Sequence, residues 1–225
     1  MTLHFLREMD RLNTHLIDIG NKIETQVSMA FNAVIQLDEA AARRVIKGDV
    51  EIDNVEIQME EECLKLLALY QPVASDLRLI VSVLKINADL ERIGDHAKNI
   101  AETAIKLSAD PAMEIPESMH IIYKKARLML RKTLLAFVET DYELAAMVLE
   151  MDDEVDKMCG AELPRQIELI QKHPEDAGQR LMLLSVCRQL ERIGDHASNI
   201  AEDVVYLLSG DIIRHSENMA MKSRG

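Results

Sequence analysis

Tryptophan is absent from the 225 residues, aromatic side chains make up only 3%, and glycine (8) and proline (5) are scarce. Sandwiches and barrels need aromatic and turn-forming residues at short intervals, so this scarcity argues against both. With 48% of residues apolar, a disordered chain is excluded as well. Long hydrophobic runs are also missing: Leu181 to Leu184 with Ser185, Val186 and Cys187 behind them fall far short of the roughly 20 residues a spanning helix needs. Met1 to Arg11 mixes Arg and Glu with apolar residues, unlike a secretory leader, so the expectation is a soluble, cytoplasmic protein without direct membrane insertion. Positive charge is in deficit, 26 basic against 39 acidic side chains for a net charge of -13, which repels a phosphate backbone and argues against nucleic-acid binding. Cys63, Cys159 and Cys187 are widely spaced among helical apolar residues and read as buried small hydrophobes, not as disulfides or a zinc site.

What remains is helix. Met9, Leu12, Leu16, Ile19, Ile23, Ala30, Val34 and Leu37 recur at intervals dominated by three and four, the signature of a helix burying one stripe, and Asp38 is placed to cap the next helix. That second helix, weakened at Gly48, must stop near Tyr70 ahead of Pro72, and a third starts around Ser75 or Asp76 and runs to about Ser108. Asp110 to Pro116, with two prolines, is the clear linker. Beyond it the pattern returns, with helices from about Pro116 to Glu139, from Asp141 to about Lys172 with a kink expected at Gly160 and Pro164, and from Pro174 to about Leu208. The predicted architecture is all-α: two tandem antiparallel three-helix bundles, residues 1–110 and 116–208, followed by a frayed polar tail, 209–225. An internal repeat supports the division. Leu90 to Glu102 reads LERIGDHAKNIAE and Leu190 to Glu202 reads LERIGDHASNIAE, so only Lys98 and Ser198 differ. Asp38, Val45, Asp49 and Asp53 recur likewise as Asp141, Val148, Asp152 and Asp156, and duplication of a three-helix unit is the economical explanation.

The repeated segments are acidic on one face. At about 100° per residue, Glu91, Asp95 and Glu102 form a stripe with Asn99 beside it, nearly opposite the apolar residues of the same helix, so the stripe faces outward. Asp49 and Asp53 make a second pair one turn apart on the preceding helix. Asp49 and Asp95 stand equally far from Pro72 along the chain, as do Asp53 and Glu91, so an antiparallel hairpin brings each couple level. Asp152 with Asp195, and Asp156 with Glu191, mirror one another in the same way across His173 and Pro174. Four carboxylates crowded together repel unless protonated or neutralised by a cation. A single such pair is an ordinary solvated surface; two level pairs, occurring twice, favour metal binding. All-oxygen donors suit Mg, Mn, Ca or Fe over a closed structural zinc. His96 and His196 point elsewhere on the helix and read as packing or supporting groups, and Gly94 and Gly194 as places of close helix approach.

The two ERIGDHAxNIAE segments, GDVEID at Gly48 to Asp53 and QPVASDLRLI at Gln71 to Ile80 resemble the PhoU family of bacterial and archaeal phosphate-uptake regulators over nearly the whole chain. The resemblance implies two three-helix bundles related by a pseudo-twofold and multinuclear clusters of iron or zinc held on the bundle surface by E(D)xxxD motifs. Carried over residue by residue, the metal ligands are Asp49, Asp53, Glu91 and Asp95 in one cluster and Asp152, Asp156, Glu191 and Asp195 in the other, with Asn99, Glu102, Asn199 and Glu202 as outlying candidates. GDVEID is only partly kept as MDDEVD at Met151 to Asp156, so equal occupancy of the two clusters does not follow. The resemblance further implies negative control of a phosphate ABC transporter and a phosphate-sensing histidine kinase, at the inner face of the membrane through these protein partners, with a homodimer left open.

Three functional classes compete. The favoured one is a metal-binding regulatory adaptor with no enzymatic activity. A helical interaction module that binds basic partners through its acidic stripes without metal is the second. The third is a hydrolase using a carboxylate-held metal, disfavoured because no nucleophile and base pair or glycine-rich phosphate loop accompanies the acids. A ferritin-like oxidase fits least, since its carboxylates project inward.

Overall fold

The computed structural model describes residues 3–109 and 114–210. These form six long helices, α1 (Leu3–Gln36), α2 (Glu39–Tyr70), α3 (Ala74–Ser108), α4 (Glu117–Glu139), α5 (Tyr142–Lys172) and α6 (Ala177–Ser209), with no strand among the described residues. The all-α expectation holds. Asp110 to Met113 of the expected linker, and the tail from residue 211 onward, lie outside the described residues.

Local chemistry sets the corners. The Asp38 carboxylate accepts from the Ala41 amide at 2.9 Å and so caps α2; Asp141 does the same for α5, accepting from Glu143 and Leu144. Before each cap stands one residue in the left-handed region, Leu37 (φ 51°) and Thr140 (φ 51°). The amide beyond it reaches back into the finished helix, Asp38 to the Ala33 carbonyl at 3.1 Å and Asp141 to that of Ala136 at 2.9 Å. The duplicated corners are therefore the same corner, built with Leu once and Thr once. α3 begins at Ala74, slightly ahead of the expected Ser75 or Asp76, because extended Val73 (φ -131°) already serves as its cap position. The helix expected from Pro174 starts at Ala177 instead: Pro174–Asp176 forms a separate 3-10 turn, and Asp176 (φ -86°, ψ 0°) interrupts the α-helical path. α5 runs unbroken through Gly160 and Pro164.

α1, α2 and α3 pack against one another, as do α4, α5 and α6, and α3 lies along α6 in the most extensive pairing between the two triplets. α1 and α4 also touch, by a smaller contact in which Phe31 stacks on Tyr123 with ring centroids 4.1 Å apart. Leu12, Leu16, Ile19, Leu90, Ile93, Leu190 and Ile193 are all fully buried in an apolar core to which all six helices contribute. All three cysteines are free and buried, as expected. This arrangement leaves the α2–α3 and α5–α6 grooves, where the acids lie, on opposite flanks of the central α3–α6 seam.

Candidate metal centre

In the second triplet Asp152 and Asp156 lie one turn apart on α5, opposite Asp195 and Glu191 on α6. One carboxylate oxygen from each of Asp152, Asp156 and Asp195 falls within 4.8 Å of the others, a spread compatible with oxygens ringed around one cation at bond lengths of about 2.0 to 2.6 Å. Asp152 Oδ1 is fully covered and has no hydrogen-bond partner. Burial, and then the charge of Asp156, push the Asp152 carboxyl up to about 6. Glu191 is raised by burial, then by Asp156 and Asp195; Asp195 is raised by burial, then by Asp156. Each group is thus held where its negative charge is unwelcome; burial is the main cause, and the repulsion by Asp156 that all three share is what a nearby cation would offset.

The first triplet holds the equivalent acids in a different electrostatic state. Asp49 is 3% exposed, and Lys98 Nζ donates to its Oδ2 at 2.6 Å. That hydrogen bond raises the Lys98 ammonium pKa, so the lysine stays charged over the acid. Arg92 adds weaker pairings, 3.4 Å to Glu91 and 3.7 Å to Asp95. Burial still raises Asp53 and Glu91, followed by Asp49 for Asp53 and by Asp95 for Glu91. The hairpin register derived from the sequence brings the acids of each set within electrostatic reach of one another, but only Asp152, Asp156 and Asp195 of the second set converge closely among the described residues. Lys98 and Ser198, the single difference within the thirteen-residue repeat, occupy the decisive position: one places an ammonium on the buried aspartate, the other a neutral hydroxyl.

The outlying candidates sit differently. Asn99 and Asn199 turn their amide nitrogens across the seam, Asn99 to Gln189 Oε1 and Asn199 to Asp89 Oδ1, both at 3.3 Å. Glu102 is exposed and Glu202 half-buried, and neither belongs to the converging trio. The histidines pack, as expected from their angle on the helix, but against each other: His96 and His196 stack with centroids 5.3 Å apart at the α3–α6 seam. Their Nδ1 atoms meet Gln189 Oε1 at 2.8 Å and Asp89 Oδ1 at 2.7 Å, and burial lowers the pKa of His96. A Cβ on Gly194 would stand 3.5 Å from Asp152 Oδ1, and one on Gly94 3.4 Å from Ile52. The neighbouring helices thus come close at both glycines, as expected, at distances that would still leave room for a Cβ. Lys98, Asp89 and Gln189 were missed from sequence. The mismatch at 98 and 198 was the available signal for the first; the other two act across a seam whose register no local pattern encodes.

The donor set fits a hard or borderline cation: oxygen-only ligands at the surface, leaving room for water, with one buried carboxylate oxygen in need of a partner. The second site meets that test as it stands. The first does not meet it as it stands: Lys98 occupies the buried Asp49 carboxylate, and no trio of its acids converges in the same way among the described residues.

Comparison with known proteins gives the same lineage. The PhoU domain matches residues 16–104 and again 120–204, one match per triplet. A phosphate-specific transport system accessory protein PhoU homolog of Pseudomonas aeruginosa is 38% identical over 220 residues, 97% of this chain and 90% of that protein. Its counterpart in Clostridium acetobutylicum is 32% identical, covering 92% of this chain and 94% of the relative. Among solved structures, PhoU from Pseudomonas aeruginosa superposes with a TM-score of 0.89 at 37% identity, covering 92% of this chain and all of that one. The phosphate transport system regulatory protein PhoU from Streptococcus pneumoniae gives 0.87 at 29% identity, covering 92% and 98%. With both halves matched and the relatives aligned along nearly their whole length, the chain belongs to the PhoU family.

Proposed function

We propose that this protein is a metal-loaded regulatory adaptor that holds phosphate uptake and the phosphate-starvation response in check by docking on a phosphate ABC transporter and its sensor histidine kinase. The names of its relatives, accessory and regulatory proteins of phosphate transport, support the process. The observation that carries the metal is the trio Asp152, Asp156 and Asp195, converging around a buried and unpartnered carboxylate oxygen. Glu191 completes this set from α6, and Asp49, Asp53, Glu91 and Asp95 form the second, self-neutralised set. By the resemblance the ion is iron or zinc; by donor chemistry alone Mn or Mg suits equally well.

Within this reading the chain's residues hold and position charge and carry out no bond-breaking step, consistent with an adaptor and not an enzyme. A bound cation supplies positive charge where three carboxylates otherwise repel. Burial of Asp152 against α6 and the rigid α5–α6 pairing fix the ligands before any ion arrives, so little ordering cost is left for binding. No helix among the described residues is long and apolar enough to cross a membrane, so the proposed site of action, the inner membrane face, is reached through protein partners.

The test is genetic and elemental together. Deleting the gene is expected to switch on starvation genes in phosphate-rich medium, and wild type is expected to restore repression. A quadruple Glu91, Asp95, Glu191, Asp195 alanine variant reports on the metal: loss of both bound metal and repression supports the whole reading. Rescue without metal rejects the metal's role alone, and continued repression in the deletion strain rejects the regulatory function.

A further inference from the structure

Cys159 on α5 and Cys187 on α6 are 28 residues apart in the chain and meet inside the second triplet. The Cys159 thiol donates to the Cys187 carbonyl at 3.7 Å. A hydrogen bond between the two thiols, and then burial, raises the Cys159 pKa. Both residues belong to the apolar core, Cys159 with 8% of its surface open to solvent and Cys187 with 2%. The helices run close at this level. Gly194, about two turns from Cys187 on the same face of α6, would place a Cβ 3.6 Å from Val155 Cγ1, and Val155 stands one turn from Cys159 on α5. A disulfide needs Cβ atoms about 3.8 Å apart, which packed helices reach only where both present small side chains, and here both do.

The duplication shows that the fold itself asks for no thiol here. By the offsets of the repeat, Cys187 corresponds to Asn87 and Cys159 to Glu56. These counterparts also link across their hairpin, Asn87 Nδ2 donating to the Glu56 carbonyl at 3.0 Å. The same rung is thus bridged by an amide in one half and by thiols in the other, and only the thiol rung can become covalent. Cys63 is the internal contrast. It sits on α2 in the first triplet, fully covered, with its thiol pushed up to about 12, chiefly by burial.

We propose that Cys159 and Cys187 form a redox-sensitive dithiol that hydrogen peroxide converts to a disulfide joining α5 to α6. Peroxide oxidises one thiol to a sulfenic acid and leaves as water; the second thiol attacks that sulfur and expels a second water. Two S–H bonds and the O–O bond are lost, one S–S bond forms, and the two sulfurs give two electrons to one peroxide. The second step is intramolecular between groups already in contact, so it outruns further oxidation of the sulfenic acid. In reducing compartments such bonds are transient and report on oxidant. The pair lies three residues beyond Asp156 and four before Glu191, so the covalent tie crosses the hairpin about one turn from the acidic groove. Neither thiol is a member of the converging acidic trio, and the pair is a site of its own whether or not a cation binds beside it.

The experiment exposes the reduced full chain, in chelator and without denaturant, to hydrogen peroxide, then unfolds it, alkylates the remaining thiols and maps the peptides by mass spectrometry. Wild type is expected to lose Cys159 and Cys187 together, at least tenfold faster than Cys63, with their two peptides joined and released again by dithiothreitol. Helix content by circular dichroism is expected to stay unchanged through the oxidation. Cys63→Ser should oxidise at the wild-type rate. Cys159→Ser and Cys187→Ser should each form no disulfide within the chain. Persistence of both thiols under peroxide that consumes free cysteine in the same time overturns the proposal. So do sulfinic acids at 159 and 187 without a linked peptide, which would mean that the sulfurs cannot meet. A bond that includes Cys63, or one that forms only with loss of helix, assigns the oxidation to unfolded chain and overturns it too.

Discussion

The two halves of this molecule present the same thirteen-residue segment on the same hairpin scaffold, yet they solve the problem of crowded carboxylates in opposite ways. Around Asp49 the chain provides its own counter-ion in Lys98; around Asp152 it provides a serine, whose neutral hydroxyl only partly offsets the burial of the carboxyl, and Oδ1 stays without a hydrogen-bond partner. One side chain thus sets whether an acidic groove is neutralised from within or awaits charge from outside. The difference seen between the two grooves lies not in MDDEVD but at the one position where the thirteen-residue repeats disagree. The seam between the halves is asymmetric in the same manner: Lys85 pairs with buried Asp203 at 3.0 Å, whereas the equivalent positions hold Ser185 and Thr103.

The sharpest way to break this comparison is to empty each groove in turn. Asp152→Ala with Asp195→Ala is expected to remove most of the metal that survives dialysis, and Asp49→Ala with Asp95→Ala only a minor share, by elemental analysis. Equal losses would mean that Lys98 does not compete with the ion.

Exchanging the deciding residue comes next in size. Lys98→Ser leaves a buried aspartate without its counter-ion and should cost the metal-free protein about 1 to 3 kcal/mol, discounted from a fully buried pair because the lysine is partly solvated. Added cation should recover that loss, and the metal content should rise. Ser198→Lys is expected to do the reverse, lowering metal content while leaving the metal-free protein no less stable. Urea melts with and without cation measure both.

A smaller effect comes from pH. The Asp152 carboxyl, at about 6 when folded against the ordinary 3.8, holds a proton that the unfolded chain has already released. The folded state therefore binds more protons across that window, and stability falls as pH rises through it. Metal-free wild type should melt at a lower temperature at pH 7 than at pH 5. Asp152→Asn should stabilise it by about 1 to 2 kcal/mol at pH 7 and reduce the slope. Asp53, Glu91, Glu191 and Asp195 shift in the same direction, so some slope remains.

The smallest contrast lies at the seam. Lys85→Ala is expected to cost about 1 kcal/mol by removing one partner of a buried carboxylate. Ser185→Ala, at the matching exposed position, should stay within about 0.5 kcal/mol. Thermal melts of the two variants side by side decide it.

Much of this was legible in the sequence because it is local. Asp38, Pro72 and Asp141 mark helix ends through their own backbone chemistry, and counting outward from Pro72 placed Asp53 beside Glu91, whose charges act on each other across the hairpin. The start of α6 was misplaced by three residues because Pro174 suits a first helical turn of either kind, and nothing local says that Asp176 will end a 3-10 turn. Lys98 stood out in the sequence only as the mismatch with Ser198; its reach to Asp49 became visible only once α2 and α3 lay side by side. The seam was illegible for a different reason. Lys85 and Asp203 lie 118 residues apart, and an α3–α6 register fixed by shape and packing leaves no periodic trace in either helix.

The corners at Leu37–Asp38 and Thr140–Asp141 bear on how the chain reaches its structure. Both connections span only two residues, and those from α2 to α3 and from α5 to α6 are short as well, so the contacts inside each triplet close small loops and can form early and independently. The α3–α6 seam joins residues about a hundred positions apart, and its partly buried polar pairs, Lys85 with Asp203 and His196 with Asp89, are met only when both triplets already exist. The topology thus predicts an order of folding: fast assembly of two hairpin-built halves, then a slower docking along the seam. The native register of that docking is checked by charge as well as by shape.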